Sequence, residues 1–338
     1  MGLKRTRFLL ARRPVGRPVA EDFALAQEDC PPLAEGQFLI ENRYASLDPA
    51  IRGWLDDAPS YMPPVALGDA VRATTVGVVA ASRAPDFPVG QWVLGLHAIE
   101  THSVSQAGGF TSAIDPSLVP SPTNFLSVLG AVGMTAWFGL LEVGQPQAGE
   151  TLLVSGAAGA VGSLVGQLGK WKCCRVIGIA GGPEKCARIV ERYGFDAAID
   201  HRGKDADRLA AEIRAAAPQG LDMVFENVGG ACLDAALLNL RHGARVALCG
   251  LISEYNAPQP VGARNLWQLI VHSARIQGLL VRDWLPRFPE GMAGMAELIR
   301  AGRIVFDEHV DEGIANAFPA FMRLFDGTND GKLILKIA

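Results

Sequence analysis

From residue 151 onward the chain alternates two hydrophobic patterns. Short apolar runs at 151–155, 175–180, 197–200, 221–226, 244–249 and 275–281 read as strands buried on both faces. Between them a helical period recurs at 160–172, 184–193, 205–217, 230–241 and 263–272. This alternation predicts an α/β fold with a doubly wound parallel sheet. Residues 1–122 have another texture. Runs at 37–44, 75–80 and 91–96 are strand-like, turn residues such as Pro85, Pro88 and Gly90 separate them, and no long helical period appears. A compact, mostly antiparallel β domain is expected there. Pro120-Ser121-Pro122 marks the change, followed by an apolar, helix-like stretch at 126–143 that Gly144 stops. Past the last strand of the series, 290–301 and 315–325 read as helices and 332–337 as an amphipathic strand. That strand is expected to return to the N-terminal domain. The β domain is then discontinuous, 1–123 with 303–338, around an α/β domain at 124–302.

The turn between the first strand and helix of the α/β series carries the most chemistry. It reads Ser155-Gly156-Ala157-Ala158-Gly159-Ala160-Val161-Gly162. Strand, tight turn, helix and strand within about 30 residues is the setting in which a glycine fingerprint means dinucleotide binding. In the G-x-G-x-x-G register the three positions hold Ala157, Gly159 and Gly162. Small side chains let a pyrophosphate approach the N–H groups at a helix N-terminus, where the helix dipole favours its charge. An NAD site usually carries an acid about 20 residues past this turn for the ribose hydroxyls. Here the second strand closes Ala180-Gly181-Gly182 with no acid, and Lys185 follows at once. Exposed backbone at Gly181 and a nearby cation suit a 2′-phosphate, so NADP(H) is the expected cofactor.

Composition narrows the class. The 338 residues call for two domains, and 49% hydrophobic with 20% charged residues describes a globular chain. The net charge of −4 comes from 31 basic and 35 acidic residues without a long run of either sign, so neither a nucleic-acid nor a membrane surface is expected. The basic N-terminal stretch has too short an apolar core for a signal peptide, and no apolar stretch reaches the 18 or so residues of a membrane helix. Six cysteines lack any C-x-x-C pair and suit a reduced, cytoplasmic protein. No metal site is expected: the N-terminal domain offers only Cys30, His97 and His102 as soft ligands, and both histidines are expected in loops or on the surface. Ser155 and Ser163 lack a G-x-S-x-G elbow, which argues against a hydrolase.

Several stretches resemble one family. They are ENRYASLDPAIRGW (41–54), SYMPPVALGDAVRATTVG (60–77), GMTAWFGL (133–140), GAAGAVGSLVGQLGK (156–170), GIAGGPEKC (178–186), FENVGG (225–230), CGLISEYN (249–256) and GKLILKI (331–337). Together they resemble the medium-chain dehydrogenase/reductase superfamily, in the zinc-independent branch of leukotriene B4 dehydrogenases/prostaglandin reductases, plant double-bond reductases and bacterial curcumin reductases. The resemblance implies a GroES-like β domain beside a Rossmann domain. It also implies NADPH-dependent reduction of the carbon–carbon double bond of α,β-unsaturated aldehydes or ketones.

Residue by residue, it places the phosphate turn at Ala157, Ala158, Gly159, Ala160 and Val161, and the 2′-phosphate at Lys185. His201 stands where the family often has a tyrosine. Further cofactor contacts are implied at Asn227, at Cys249, Gly250, Leu251, Ile252 and Ser253, at Leu279, Leu280 and Val281, and at Asn329. Tyr255 becomes the candidate donor to a developing enolate oxygen, with the nicotinamide ribose hydroxyl as a second donor, and the α-carbon proton comes from Tyr255 or water. Tyr61 matches a substrate-facing position. Two departures stand out, Ala50 for a substrate-side tyrosine and Thr74-Thr75 for glycine, and both are expected to alter the pocket walls. A quinone reductase and a non-catalytic NADPH-binding protein are the competing functions. By family analogy a homodimer is expected.

Overall fold

The computed structural model describes every residue except Met1, Pro260 and Ala338. The chain divides into two compact units, Met1–Ser127 with Glu308–Ala338, and Val128–Asp307. In the first, β1 (Lys4–Leu10) and β2 (Phe23–Asp29) form an antiparallel ribbon. β3 (Gln37–Ser46), the short helix α1 (Ala50–Trp54), β4 (Arg72–Ser82), β5 (Trp92–Ala98), β6 (His102–Gln106) and β7 (Thr111–Ala113) follow. β3 pairs antiparallel with both β4 and β6, and β5 continues the sheet on β4.

The second unit begins with α2 (Ala131–Phe138), which widens into a π turn at Gly139–Gly144. It then alternates: β8 (Thr151–Ser155), α3 (Ala160–Trp171), β9 (Arg175–Ala180), α4 (Pro183–Glu191), β10 (Ala197–Asp200), α5 (Ala206–Ala216), β11 (Leu221–Glu226), α6 (Gly230–Leu237), β12 (Leu240–Leu248), α7 (Trp267–Val271), β13 (Arg275–Gly278) and α8 (Phe288–Arg300). Among the described residues its sheet is six-stranded and parallel, in the order β10-β9-β8-β11-β12-β13. The order reverses beside β8, as in a doubly wound dinucleotide fold.

Packing on the sheet explains the continuous apolar runs. Leu153, Ile177, Ile179 and Val224 share one core with Leu209 and Ile213 of α5 and Leu233 and Leu237 of α6. On the opposite face α3 comes close enough that a Cβ on Gly169 would lie 2.6 Å from Leu152 and 3.1 Å from Val176. The central strands β8, β9 and β11 are therefore covered on both sides and are apolar at nearly every position.

The chain returns to the first unit through β14 (Glu308–Glu312), α9 (Ala317–Asp326) and β15 (Lys332–Lys336). β15 pairs antiparallel with β3 and parallel with β14. The buried Lys332 Nζ donates to Leu47 O at 2.8 Å and to Asp48 Oδ1 at 2.6 Å, which locks this return.

Several expectations are corrected. The period at 230–241 is cut at Leu237 because Leu240 already belongs to β12. The run at 275–281 leaves the sheet at Gly278, and Val281 opens a 3-10 turn. The 126–143 stretch is no single helix, since α2 starts only at Ala131. His97 and His102 lie on β5 and β6 rather than in loops. His97 joins a hydrogen-bonded row in the interior. Thr75 Oγ1 donates to Asn42 Oδ1 at 2.7 Å, so it must accept from His97 Nδ1, also at 2.7 Å. His97 Nε2 then accepts from Thr111 Oγ1 at 2.9 Å. Asn42 Nδ2 donates to Ser103 Oγ at 2.8 Å, and Ser103 donates to Glu100 Oε1 at 2.8 Å. Thr75 is thus turned into the domain interior, and Ala50 packs against its apolar core.

Candidate nucleotide site

The loops leaving β8, β9, β11 and β12 lie at the carboxyl edge of the parallel sheet, where ligands bind in such folds. After β8, Gly156 takes the left-handed φ of 59°, and Gly159 caps α3 without a side-chain hydrogen bond. Ala157 N donates to Ile179 O at 2.9 Å, pinning the turn to β9. Ala157 replaces a fingerprint glycine at no steric cost because its methyl faces Gly178, where a Cβ would come within 2.8 Å of it. Gly162 cannot be replaced so easily: a Cβ there would stand 2.4 Å from Gly156 O. Ala158, Ala160 and Val161 complete a turn whose first helical N–H groups meet no capping side chain, an arrangement that suits an anion.

After β9, Gly182 has a φ of 93° and caps α4, offering no side chain of its own to the first helical N–H groups. Its N–H donates to Asp200 Oδ1 at 2.8 Å, and Arg202 N donates to the same oxygen at 3.0 Å. The two backbone donors hold the Asp200 carboxyl below its ordinary range. The end of β10 thereby folds over the glycines. A Cβ on Gly181 would lie 3.0 Å from His201 Nε2, and one on Gly182 would lie 2.7 Å from an Arg202 guanidinium nitrogen. Lys185 sits in the first turn of α4, with His201 within its field. Lys185 and Arg202 thus bring two cations to this turn, beside the Asp200 carboxylate and His201, whose imidazole burial pulls below its ordinary range. Arg202 was not singled out from the sequence; an arginine two residues past a strand end carries no local signal until the strand is laid beside β9.

After β11, Asn227 Nδ2 donates to Ser155 O at 2.7 Å, joining the β11 turn to the β8 turn. The Cys249–Ser253 loop is tied to the same place: Ile252 N donates to Asn227 O at 3.2 Å, and Ser253 N to Val228 O at 3.0 Å. Burial pushes the Cys249 thiol up to about 12, so it stays protonated. Tyr255 Oη accepts from Leu251 N at 3.2 Å and lies over Gly250. Leu279 N donates to Leu248 O at 3.0 Å; Leu279, Leu280 and Val281 run on from β13.

Tyr61 and Asn329 belong to the other unit. The Tyr61 ring is 43% exposed and stands edge-on to Trp54 at 6.3 Å. Asn329 Nδ2 donates to Gly331 O at 3.0 Å in the turn before β15. Among the described residues no group of three or more His, Cys, Asp or Glu is placed to hold a metal ion.

Comparison with known proteins agrees with this architecture. Residues 6–113 match the N-terminal domain of oxidoreductase, and residues 160–299 match the family described as zinc-binding dehydrogenase. The NADPH-dependent curcumin reductase of Escherichia coli K12 is 41% identical, over 98% of this chain and 96% of that protein. The NADP(+)-dependent 2-alkenal reductase of Nicotiana tabacum is 36% identical, over 91% and 89%. The crystal structure of CurA from Vibrio vulnificus in complex with NADPH superimposes with a TM-score of 0.91 at 42% identity, covering 98% of this chain and 99% of that one. The chain belongs to the medium-chain dehydrogenase/reductase superfamily, in the branch of prostaglandin, curcumin and 2-alkenal reductases that its sequence resembles.

Proposed function

We propose that this protein is an NADPH-dependent oxidoreductase that reduces the carbon–carbon double bond of α,β-unsaturated aldehydes and ketones. One observation carries the cofactor part. Two successive helices, α3 and α4, begin at glycines that offer no side-chain cap, and the second turn brings together the cations Lys185 and Arg202 with His201, a neutral hydrogen-bonding group. The first turn suits a pyrophosphate and the second a 2′-phosphate. Relatives named for NADPH or NADP(+) point the same way.

The bound cofactor supplies a hydride for the β-carbon. The chain's own residues do the rest. The 157–161 turn and Asn227 orient the nucleotide, together with the 249–253 loop, Leu279–Val281 and Asn329. Tyr255 donates a hydrogen bond to the enolate oxygen as charge develops there, and a phenol does this without carrying a permanent charge. The α-carbon proton comes from Tyr255 or from water. Tyr61, half exposed beside Trp54, is the substrate-side residue that the family resemblance implies.

Enone-dependent NADPH oxidation tests the reaction, and Tyr255→Phe tests the donor. Turnover is expected to fall about tenfold with a smaller change in KM. Loss of a sole oxyanion donor usually costs more, about 10² to 10³, but a ribose hydroxyl remains to share the load here. Unchanged kinetics would remove Tyr255 from the mechanism.

The protein acts as a homodimer. Among the described residues β13 is an edge strand of its sheet, and α7, which precedes it, turns Leu269 toward the core but leaves Trp267 and Ile270 outside. Trp267 and Ile270 are 66% and 67% exposed, an apolar surface that a second copy would cover. Sedimentation of the wild type and of Trp267→Glu reads this directly: a monomeric wild type would overturn it. No helix among the described residues is long and apolar enough to cross a membrane.

A further inference from the structure

The loops assigned to the nucleotide converge on one side chain that the sequence did not single out. Glu226 closes β11 and has no exposed surface. Its Oε1 accepts from Ser155 Oγ at 2.6 Å, from Val228 N at 2.6 Å and from Gly229 N at 2.8 Å. Its main-chain oxygen accepts from Cys249 N at 2.8 Å and Gly250 N at 3.1 Å. Ser155 Oγ in turn accepts from Asn227 N at 2.8 Å. The ends of β8, β11 and β12 are thus joined through one residue.

The second carboxyl oxygen behaves differently. Oε2 is buried and has no hydrogen-bond partner among the described residues. An ionised carboxylate with one bare oxygen in such a place is costly. Burial pushes the Glu226 carboxyl above its ordinary range, against the donors that pull it down. The titratable neighbours, Cys232 and Cys249, are thiols held protonated by burial and offer no counter-charge. Among the described residues no cation faces the carboxyl to balance a negative charge, and a site for phosphates would be repelled by one. What the geometry uses is Oε1 as an acceptor of three donors, a role that the carbonyl oxygen of the neutral acid also fills, less strongly than a carboxylate.

We propose that Glu226 is the positioning residue of the nucleotide site, with Oε1 acting as an acceptor rather than as a charge. It holds the Ser155 end of β8 against the Val228–Gly229 turn, so that the N-terminus of α3 and Asn227 stay in register for the nucleotide. This rests on the NADPH reading above and deepens it.

Glu226→Gln keeps the acceptor and removes the ability to ionise, whereas Glu226→Ala removes the acceptor and strands three donors. NADPH affinity by fluorescence titration, KM and kcat by steady-state kinetics, and thermal unfolding are compared for both variants and the wild type. In folded Glu226→Ala, Kd and KM for NADPH are expected to rise about tenfold, with kcat changed by less than about threefold, the pattern of lost nucleotide binding rather than lost chemistry. Glu226→Gln is expected to stay within about threefold of wild type in all three, about 0.7 kcal/mol or less. If Glu226→Ala does not fold, Ser155→Ala replaces it and is expected to weaken NADPH about threefold. Glu226→Ala (or its replacement Ser155→Ala) binding NADPH like wild type would overturn the proposal. So would Glu226→Gln as weak as Glu226→Ala, because charge would then be the operative feature. A wild type without affinity for NADPH would instead overturn the cofactor reading itself, a distinct failure.

Discussion

The two units bury polar groups in opposite ways. In the first, Asn42, Thr75, Ser103 and Glu100 are buried and run through the sheet in a closed row with His97, each oxygen and nitrogen paired to the next. Glu100 Oε2 ends it by accepting from Arg7 Nε at 3.0 Å. In the second, the sheet core is apolar, and the fully buried Glu226 gathers donors on one oxygen and none on the other. A satisfied row fixes the register of a β domain whose strands are half wetted. A lone acceptor at the edge of an apolar sheet ties loops together, and it sits where those loops are proposed to meet a ligand.

The largest effect is expected where the first unit buries a charge. Lys332 is 3% exposed and Asp48 is 31% exposed at the side chain. Asp48→Ala strands the ammonium with only Leu47 O and should cost about 3 kcal/mol. Lys332→Met removes the buried charge, leaves the half-wetted acid, and should cost about 1 kcal/mol. Urea unfolding midpoints check the order; equal losses would mean that the pair does not carry the β15 return.

The second unit should respond in binding rather than stability. Lys185→Ala and Arg202→Ala are each expected to weaken NADPH about tenfold, the loss of one charge-assisted contact, while NADH changes less than about twofold. Titration with both nucleotides separates the two. Equal losses for NADH would move these cations away from the 2′-phosphate.

A pH test reaches the hydrogen-bonded row of the first unit. Burial pulls His97 down from 6.5 to about 4, matching its place as a neutral donor and acceptor. Because its folded pKa lies below the unfolded one, the stability it contributes is complete above pH 6.5 and is lost as the pH falls toward about 4. His97→Gln should flatten that part of the pH–stability curve. A curve that keeps its slope would place the titration elsewhere.

What could be read from the sequence followed the range of the interactions. The strands at 151–155, 175–180, 197–200 and 221–226 have the bounds expected of them, because glycine turns punctuate runs that both faces of the sheet force to be apolar. The end of α6 was blurred because Leu237, Leu238 and Leu240 continue one apolar period across a helix end and a strand start. The strand Lys4–Leu10 carries three basic residues and hides its pattern, since Arg5 and Arg7 point at Glu28 and Glu100 far along the chain. The phosphate turn was legible because its glycines answer a local need. Arg202 and Glu226 were not: an arginine and a glutamate at strand ends mean nothing until β10 lies beside β9 and β11 beside β8.

The most direct measurement is titration of the purified protein with NADPH and NADH under identical conditions. Binding of NADPH at least about tenfold tighter than NADH is expected from a turn whose two cations replace the ribose-binding acid. Equal affinities, or no affinity for either nucleotide, would contradict a phosphate-reading site at Gly181, Lys185 and Arg202.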